Sequence, residues 1–373
     1  MIEDYFGEMT DKRKGRGKRH RLLDIITIAL CGVICGADDW VAIAQYGEAR
    51  EKWLETFLEL PQGIPSHDTF GDVFGWIDPE EFRQCFLAWV QAVVERIGEQ
   101  VVAIDGKTLR GSQDRRNGHE AIEIVSAWAQ ANQIVLGQVK VEGGSHEMKA
   151  IPKLIDVLDI QGCLVTMDAA GCQKEIIEAV LSRGGEYLIA LKENQGLLYQ
   201  DTKYLFDDLA AQGEDQKVYP HDYAKTTNKG HGRIEIRECW AIDGQGVVEY
   251  FRTGSQWQQL RTLIKVKAKR IIDGKSTTKE RDFISSLSQP AAKLLAMLRS
   301  HWDIENGLHW VLDVAFLEDH NRVRTGHAPE NLAILRHFAL NLLKQEMTKK
   351  IGIKIKRLRC AWDHEYLLQV LLS

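Results

Sequence analysis

A mixed β-sheet flanked by helices, led by a helical unit and interrupted by a β-rich insertion, is the fold this sequence predicts. Three observations carry that α/β reading. Up to about residue 99 apolar residues recur at helical spacing. From residue 100 the pattern becomes short apolar runs and one hairpin, alternating with helical segments. Residues 200–289 then hold several strand-like runs separated by Asp-Gly pairs.

In chain order, Leu22 to Leu30 form a thick apolar stripe, and a second helix starts at Trp40 behind the capping pair Asp38-Asp39. The stretch Gly63-Ile-Pro-Ser-His-Asp-Thr-Phe70 is a loop entering a helix capped at Ser66 or Asp68. Another helix runs from about Pro79 to Ile97, with proline in its first turn. Val101 to Ile104 is a strand ending at Asp105. Ile124 to Ala129 and Ile134 to Val141 form a hairpin around Asn132-Gln133. A helix over His146 to Leu158, a strand over Cys163 to Met167 ending at Asp168, a helix over Gln173 to Arg183 and a strand over Glu186 to Leu191 complete a mixed sheet. The insertion offers strands over Arg233 to Ile242, Gln259 to Lys269 and Thr278 to Leu287, with turns at Asp243-Gly244 and Asp273-Gly274. Helix returns at Ala291 with a stripe of Ile304, Leu308, Val311 and Ala315 that places Glu305 beside it, and Pro329 opens a further long helix. The expected division is therefore 1–99 helical, 100–345 the sheet domain with its 200–289 insertion, and 346–373 a basic tail.

The 373 residues are 44% hydrophobic and 27% charged, which excludes a disordered chain. Net charge is −5, so the average gives no sign of a polyanionic partner, but residues 12–21 carry seven Lys/Arg and residues 349–359 six, without an acid in either run. Seven scattered cysteines lack a Cys-x-x-Cys pair. They point to a reducing, cytoplasmic compartment, with Cys31 and Cys35 as core. Leu22 to Ala37 is too short and too charged to span a bilayer, so no membrane partner is expected.

Asp105, Asp168 and Glu305 are the candidate catalytic and metal-ligating residues. Two aspartates at strand ends and one glutamate on a later helix can hold two Mg²⁺ or Mn²⁺ ions, which activate an oxygen nucleophile and stabilise the leaving oxygen at a phosphodiester. Each acid also has a structural reading. Asp105 precedes glycine as a turn residue does, Asp168 can cap the next helix, and Glu305 can be a surface residue.

The strings Ala-Ile-Asp-Gly-Lys-Thr-Leu-Arg-Gly-Ser, Tyr-Leu-Ile-Ala-Leu-Lys-Glu-Asn-Gln, His-Gly-Arg-Ile-Glu-Ile-Arg and His-Trp-Asp-Ile-Glu-Asn-Gly-Leu-His-Trp resemble the H-repeat-associated, ISAs-type insertion-sequence transposases. These belong to the DDE group with a ribonuclease-H-like core. The resemblance covers nearly the whole chain. It implies catalytic acids at Asp105, Asp168 and Glu305, a β insertion before the glutamate helix, and, over residues 1–99, a DNA-binding amino-terminal associated domain of which the 63–70 stretch is typical. It further implies cut-and-paste transposition in a nucleoid-associated bacterial setting, with terminal inverted repeats and target DNA as partners and a homodimer in the DNA complex. One departure is visible. The wider superfamily places arginine four residues before the glutamate and lysine seven after it, where this chain has His301 and Leu312.

Candidate DNA contacts are Lys107 and Arg110 after the first aspartate, Lys192 and Asn194 after the fifth predicted strand, His231, Arg233 and Arg237 on the insertion, Arg299, His301 and His309 around the glutamate, and Arg322 and Arg324 beyond it. Trp240, Trp257, Trp302 and Trp310 are candidates for stacking on flipped bases, although Trp310 at least is expected to pack in the core or at its rim. Two other functions use the same residues: a catalytically silent or domesticated DNA-binding protein, and a metal-dependent nuclease. No Gly-x-Ser-x-Gly, Gly-x-x-x-x-Gly-Lys-Ser/Thr or His-Glu-x-x-His motif is present, so serine hydrolysis, ATP use and zinc proteolysis have no sequence support.

Overall fold

The computed structural model describes residues 2–93, 100–114, 116–118, 120–143, 146–211, 219–230 and 232–373. Contacts divide the chain into two compact units: residues 1–96, 106–145 and 305–373 make one, and residues 97–105 and 146–304 the other.

The first unit is built on helices. Strand β1 (Val101–Thr108) enters it at Gly106. Its helices are α1 (Ile2–Phe6), α2 (Leu22–Ile34), α3 (Trp40–Leu54), α4 (His67–Trp76) and α5 (Pro79–Val93). The two caps form as the sequence predicts: Asp39 Oδ1 accepts from the Ala42 amide at 2.8 Å, and Ser66 Oγ from the Thr69 amide at 3.3 Å. The hub of the unit is a helix over Ala328–Gln345, of whose 18 residues fifteen are buried. A helix buried all round needs cover on every side, and partners for its buried Asn331, Arg336, His337 and Asn341. Phe6, Phe86 and Trp89 pack on its Phe338, and its Asn331 amide donates to the carbonyls of Phe74 and Ile77. Its Asn341 both donates to and accepts from the backbone of Val135, on the hairpin of β2 (Glu123–Ala129) and β3 (Ile134–Lys140). The leading helices are thus packed with carboxyl-terminal ones.

The segment expected as a basic tail is folded into two helices, Ile353–Trp362 and His364–Leu371. Its Lys356 and Arg357 are buried. Lys356 donates to the Leu343 carbonyl at 2.8 Å and pairs with Glu346, while Arg357 donates to the Val33 carbonyl and to Asp38, each at 2.7 Å. Two of the six basic groups in the 349–359 run are therefore internal struts.

The second unit carries α6 (Glu147–Val157), α7 (Lys174–Ser182), α8 (Gly196–Ala211) and α9 (Ala291–His301). Here β1 lies parallel to β4 (Leu164–Met167), and β4 parallel to β5 (Glu186–Leu191). The expected insertion continues this sheet. The last of its strands, β9 (Lys275–Ser285), pairs antiparallel with β5, followed outward by β8 (Thr262–Ile272), β7 (Arg233–Asp243) and β6 (His221–Gly230). The order of the described strands is β3-β2-β1-β4-β5-β9-β8-β7-β6, a mixed sheet in an α/β fold.

Three local expectations are corrected. The 200–289 insertion, read as mainly β, also holds most of α8, a full helix. Strand β6 escaped the sequence reading because His-Asp-Tyr-Ala-Lys-Thr-Thr-Asn-Lys-Gly has no apolar alternation, as befits an exposed sheet edge. Asp273-Gly274 does turn the β8–β9 hairpin, with φ of 48° and 77°, but Asp243-Gly244 opens a longer loop that reaches Arg261. All seven cysteines are free thiols, and no described helix is long and apolar enough to cross a membrane.

Candidate active site

In the second unit the parallel register pairs Val101 with Leu164, Val102 with Val165 and Ala103 with Thr166. Carried two residues further, it sets Asp105 level with Asp168. Neighbouring strands lie about 4.8 Å apart, so two carboxylates leave the same edge of the sheet side by side. The strand does not stop at Asp105 as expected; it continues to Thr108, although its buried run ends at Ile104. The Asp-Gly pair makes no turn because Lys107, two residues on, is drawn inward by the carboxylates described below. Asp168 begins a 3₁₀ turn over Ala169–Gly171, and its Oδ1 accepts from the Ala170 amide at 2.8 Å. It caps this short turn and not the next helix, α7, whose N-cap is Gln173.

Side chains of the same unit brace this loop. The Asn194 amide donates to the Ala169 carbonyl and the Gln195 amide to the Cys172 carbonyl, each at 2.7 Å. His301 Nδ1 lies 3.1 Å from Thr166 Oγ1, two residues before Asp168. Lys192 and Arg299 are exposed. Arg233 and Arg237 lie on β7, and His231 falls outside the described residues.

In the first unit Glu305 opens a turn of π-helix over Glu305–His309 that leads into α10 (Trp310–Ala315). The helix expected to run unbroken from Ala291 is thus interrupted just before its glutamate. A wide turn of this kind bulges the backbone outward, and such bulges recur at functional sites. Glu305 Oε2 and His309 Nδ1 are 3.7 Å apart, with the glutamate about half exposed and the histidine buried. Gly307 is the turn's point of close approach, because a Cβ there would lie 2.9 Å from the fully buried ring of Trp128 on β2. The stripe residues Ile304, Leu308, Val311 and Ala315 are buried as predicted. Trp310 is not in the core: it is 60% exposed, being well round the helix from that stripe.

Beneath the π turn lies a charge cluster that sequence reading treated as separate residues. The Lys107 ammonium donates to Asp313 at 2.5 Å and to Glu318 at 2.8 Å, and Arg336 stands 3.9 Å from the other oxygen of Glu318. Lys107 is therefore held by protein carboxylates. Burial pushes Glu318 upward, but Lys107, Arg336 and His337 outweigh it and hold the carboxyl below its usual range. His337, fully enclosed beside this glutamate, is pushed down to about 4, chiefly by burial. Leu317, in the left-handed region with φ of 50°, turns the chain so that the next residue, Glu318, points inward. Arg110 is mostly exposed, 3.6 Å from Asp319. Arg322 and Arg324 line a cleft of about 680 Å³ with Trp40, His67, Asp68 and Asp72.

The sequence matches the transposase DDE domain family over residues 96–342 and a DDE_Tnp_1-associated family over residues 3–90. The chain belongs to the DDE transposases. It is 36% identical to the "H repeat-associated putative transposase YhhI" of Escherichia coli K12, over 99% of this chain and 97% of that one. It is also 36% identical to the "Putative transposase YncI" of Escherichia coli O157:H7, over 99% and 94%. Among solved structures, a piggyBac transposase synaptic complex with hairpin DNA aligns with a TM-score of 0.45 at 10% identity, over 100% of this chain and 77% of that one, too low to assign a fold.

Proposed function

We propose that this DDE transposase binds the ends of its own element and catalyses metal-dependent strand cleavage and strand transfer. Asp105, Asp168 and Glu305 are its catalytic acids. The observation that carries the reading is the parallel register that levels Asp105 with Asp168 at one sheet edge. The order β3-β2-β1-β4-β5, with a helix-borne glutamate after the later strands, supports a ribonuclease-H-like core.

The donor set suits a hard divalent cation. Three carboxylates, Asp105, Asp168 and Glu305, are hard oxygen donors and favour Mg²⁺ or Mn²⁺ over softer metals. A bound pair of ions would supply charge neutralisation at the scissile phosphate and a more acidic water or 3′ hydroxyl. The chain's own residues do the positioning. Asn194 and the Ala170 amide fix the loop and the orientation of Asp168, and the Trp128–Gly307 contact fixes the turn that carries Glu305. The DNA substrate, a homodimer when two ends are joined, and action on the bacterial nucleoid complete the proposal.

The test uses linear DNA carrying the inverted repeats that flank the gene, with Mn²⁺ present. The wild-type chain is expected to nick at the repeat ends and join the released 3′ ends to a second duplex. Asp105→Asn, Asp168→Asn and Glu305→Gln should each lose more than 99% of cleavage while still shifting the DNA in a gel. Cleavage that survives in Asp105→Asn would overturn the assignment. DNA that is shifted but never cut by the wild-type chain would establish the silent DNA-binding alternative, and cutting without joining a plain nuclease.

A further inference from the structure

The four outer strands β6–β9 have two faces of different character. Cross-strand partners share a face, so the register assigns every side chain. On one face Cys239, Ala241, Ile264 and Val266 are buried under Leu294, Leu295 and Leu298 of α9. Further along the strands the same face changes from apolar to charged. It presents Arg233 and Arg237 from β7, Arg270 from β8, and Lys275, Lys279 and Arg281 from β9, against one acid, Glu235.

The arginines are pre-arranged. Glu235 pairs with Arg237 at 2.5 Å, with Arg233 at 3.2 Å and with Arg270 at 4.0 Å, so one carboxylate holds three guanidinium groups and leaves a surplus of positive charge. Arg281 stacks over Trp302, 5.0 Å from the ring, at the border with α9. Residues 275–281 of β9 are exposed throughout. The opposite face differs. Its Lys225 and Lys267 are matched by Glu238 and Glu280 at 3.3 and 3.4 Å, which leaves Lys229 and Lys269 as its surplus.

We propose that the basic face of β6–β9, beyond the cover of α9, is a docking surface for the phosphate backbone of duplex DNA; this rests on the transposase reading above. Charge complementarity commits it to that occupant. Alternate residues on a strand lie about 7 Å apart. Arg233 to Arg237 therefore spans about 14 Å, and across three strands the six cations follow a polyanion that carries a phosphate about every 3.4 Å on each strand. Asn228 and Thr277 share the face, are exposed and add neutral donors. Contacts of this kind set the position of the duplex without reading its sequence. The surface runs back to the end of α9, where Arg281 meets Trp302, on the sheet whose β1 carries Asp105 and whose β4 leads to Asp168.

The test compares paired charge reversals in the full chain, Arg237→Glu with Lys279→Glu on this face and Lys267→Glu with Lys269→Glu on the other. Binding to a labelled duplex of about 30 base pairs, roughly three helical turns, is followed by fluorescence anisotropy over a salt series. The first pair should weaken binding at least tenfold and lower the slope of log K against log salt by about 1.8, near 0.9 per lost phosphate contact. The second pair should change affinity less than threefold. The neutral pair Arg237→Gln, at a side chain 21% exposed, with Lys279→Gln, at an exposed one, should show the same slope change with an unaltered urea midpoint. A wild-type slope in both face variants, or equal losses from both faces, overturns the proposal while leaving the transposase reading intact. A wild-type chain that fails to bind duplex at any salt overturns both.

Discussion

Replacing Lys107 by methionine isolates the charge cluster beneath the π turn. The side chain of Lys107 is 12% exposed and that of its partner Glu318 only 1%. Methionine keeps much of the aliphatic bulk and removes the charge, so Glu318 remains buried with Arg336 alone, at 3.9 Å. Breaking a buried pair costs about 3–5 kcal/mol because the remaining charge cannot rehydrate. The lower end applies here, since Arg336 stays, and Asp313, about a third exposed, regains water and adds little. A loss of about 3 kcal/mol lowers the folded-to-unfolded ratio roughly a hundredfold. Urea unfolding at pH 7, followed by tryptophan fluorescence, measures it, with an unchanged slope showing that the folded state is the same. The pH dependence is the sharper part. In the wild type the Glu318 carboxyl is held below its ordinary 4.5 against burial, so its contribution is complete above that value and lost as the pH falls lower. In Lys107→Met burial prevails, the carboxyl titrates above its ordinary value, and the penalty develops as the pH rises through it. The difference between the two proteins should therefore be largest near neutral pH and shrink towards pH 4. A difference under about 1 kcal/mol at pH 7, or one that does not change with pH, refutes the idea that this pair is an internal strut. Lys107→Arg, which keeps the charge, should recover most of the loss.

Two further outcomes follow from the same region. His337 is pushed down to about 4 from an ordinary 6.5, so between those values the unfolded chain takes up a proton that the folded chain refuses. Stability should fall by about 3 kcal/mol as the pH drops across that window, and His337→Gln should flatten the fall; an identical pH profile in the variant would show that another group is responsible. In Gly307→Ala the added methyl meets the Trp128 ring at 2.9 Å, and the enclosed ring has no room to retreat. We expect about 1–3 kcal/mol of destabilisation, relieved when Trp128→Phe opens space; wild-type stability in Gly307→Ala would mean that the turn is slack.

The sequence by itself determined the local elements wherever apolar periodicity or a cap is a short-range signal. The helices at Leu22, Trp40, His67 and Pro79, the β2–β3 hairpin and the alternation of strands and helices around Asp168 all formed where the pattern placed them, the expected end of the Pro79 helix near Ile97 lying outside the described residues. It also marked Asp105, Asp168 and Glu305 as acids beside buried runs, because a carboxylate at that place is itself a local feature. Only the tertiary structure decided which charges meet. Lys107, Asp313, Glu318 and Arg336 are spread over more than 200 residues, and no spacing rule predicts that they share one buried cluster. The fate of residues 346–373 was equally hidden, since Lys356 and Arg357 look solvated in sequence until backbone carbonyls and Glu346 or Asp38 receive them. Strand β6 depends on its neighbour for its hydrogen bonds and so left no apolar trace. The common physical reason is that periodicity reports burial along one element, whereas ion pairing, edge-strand pairing and the π turn at Glu305 are settled by partners far away in the chain.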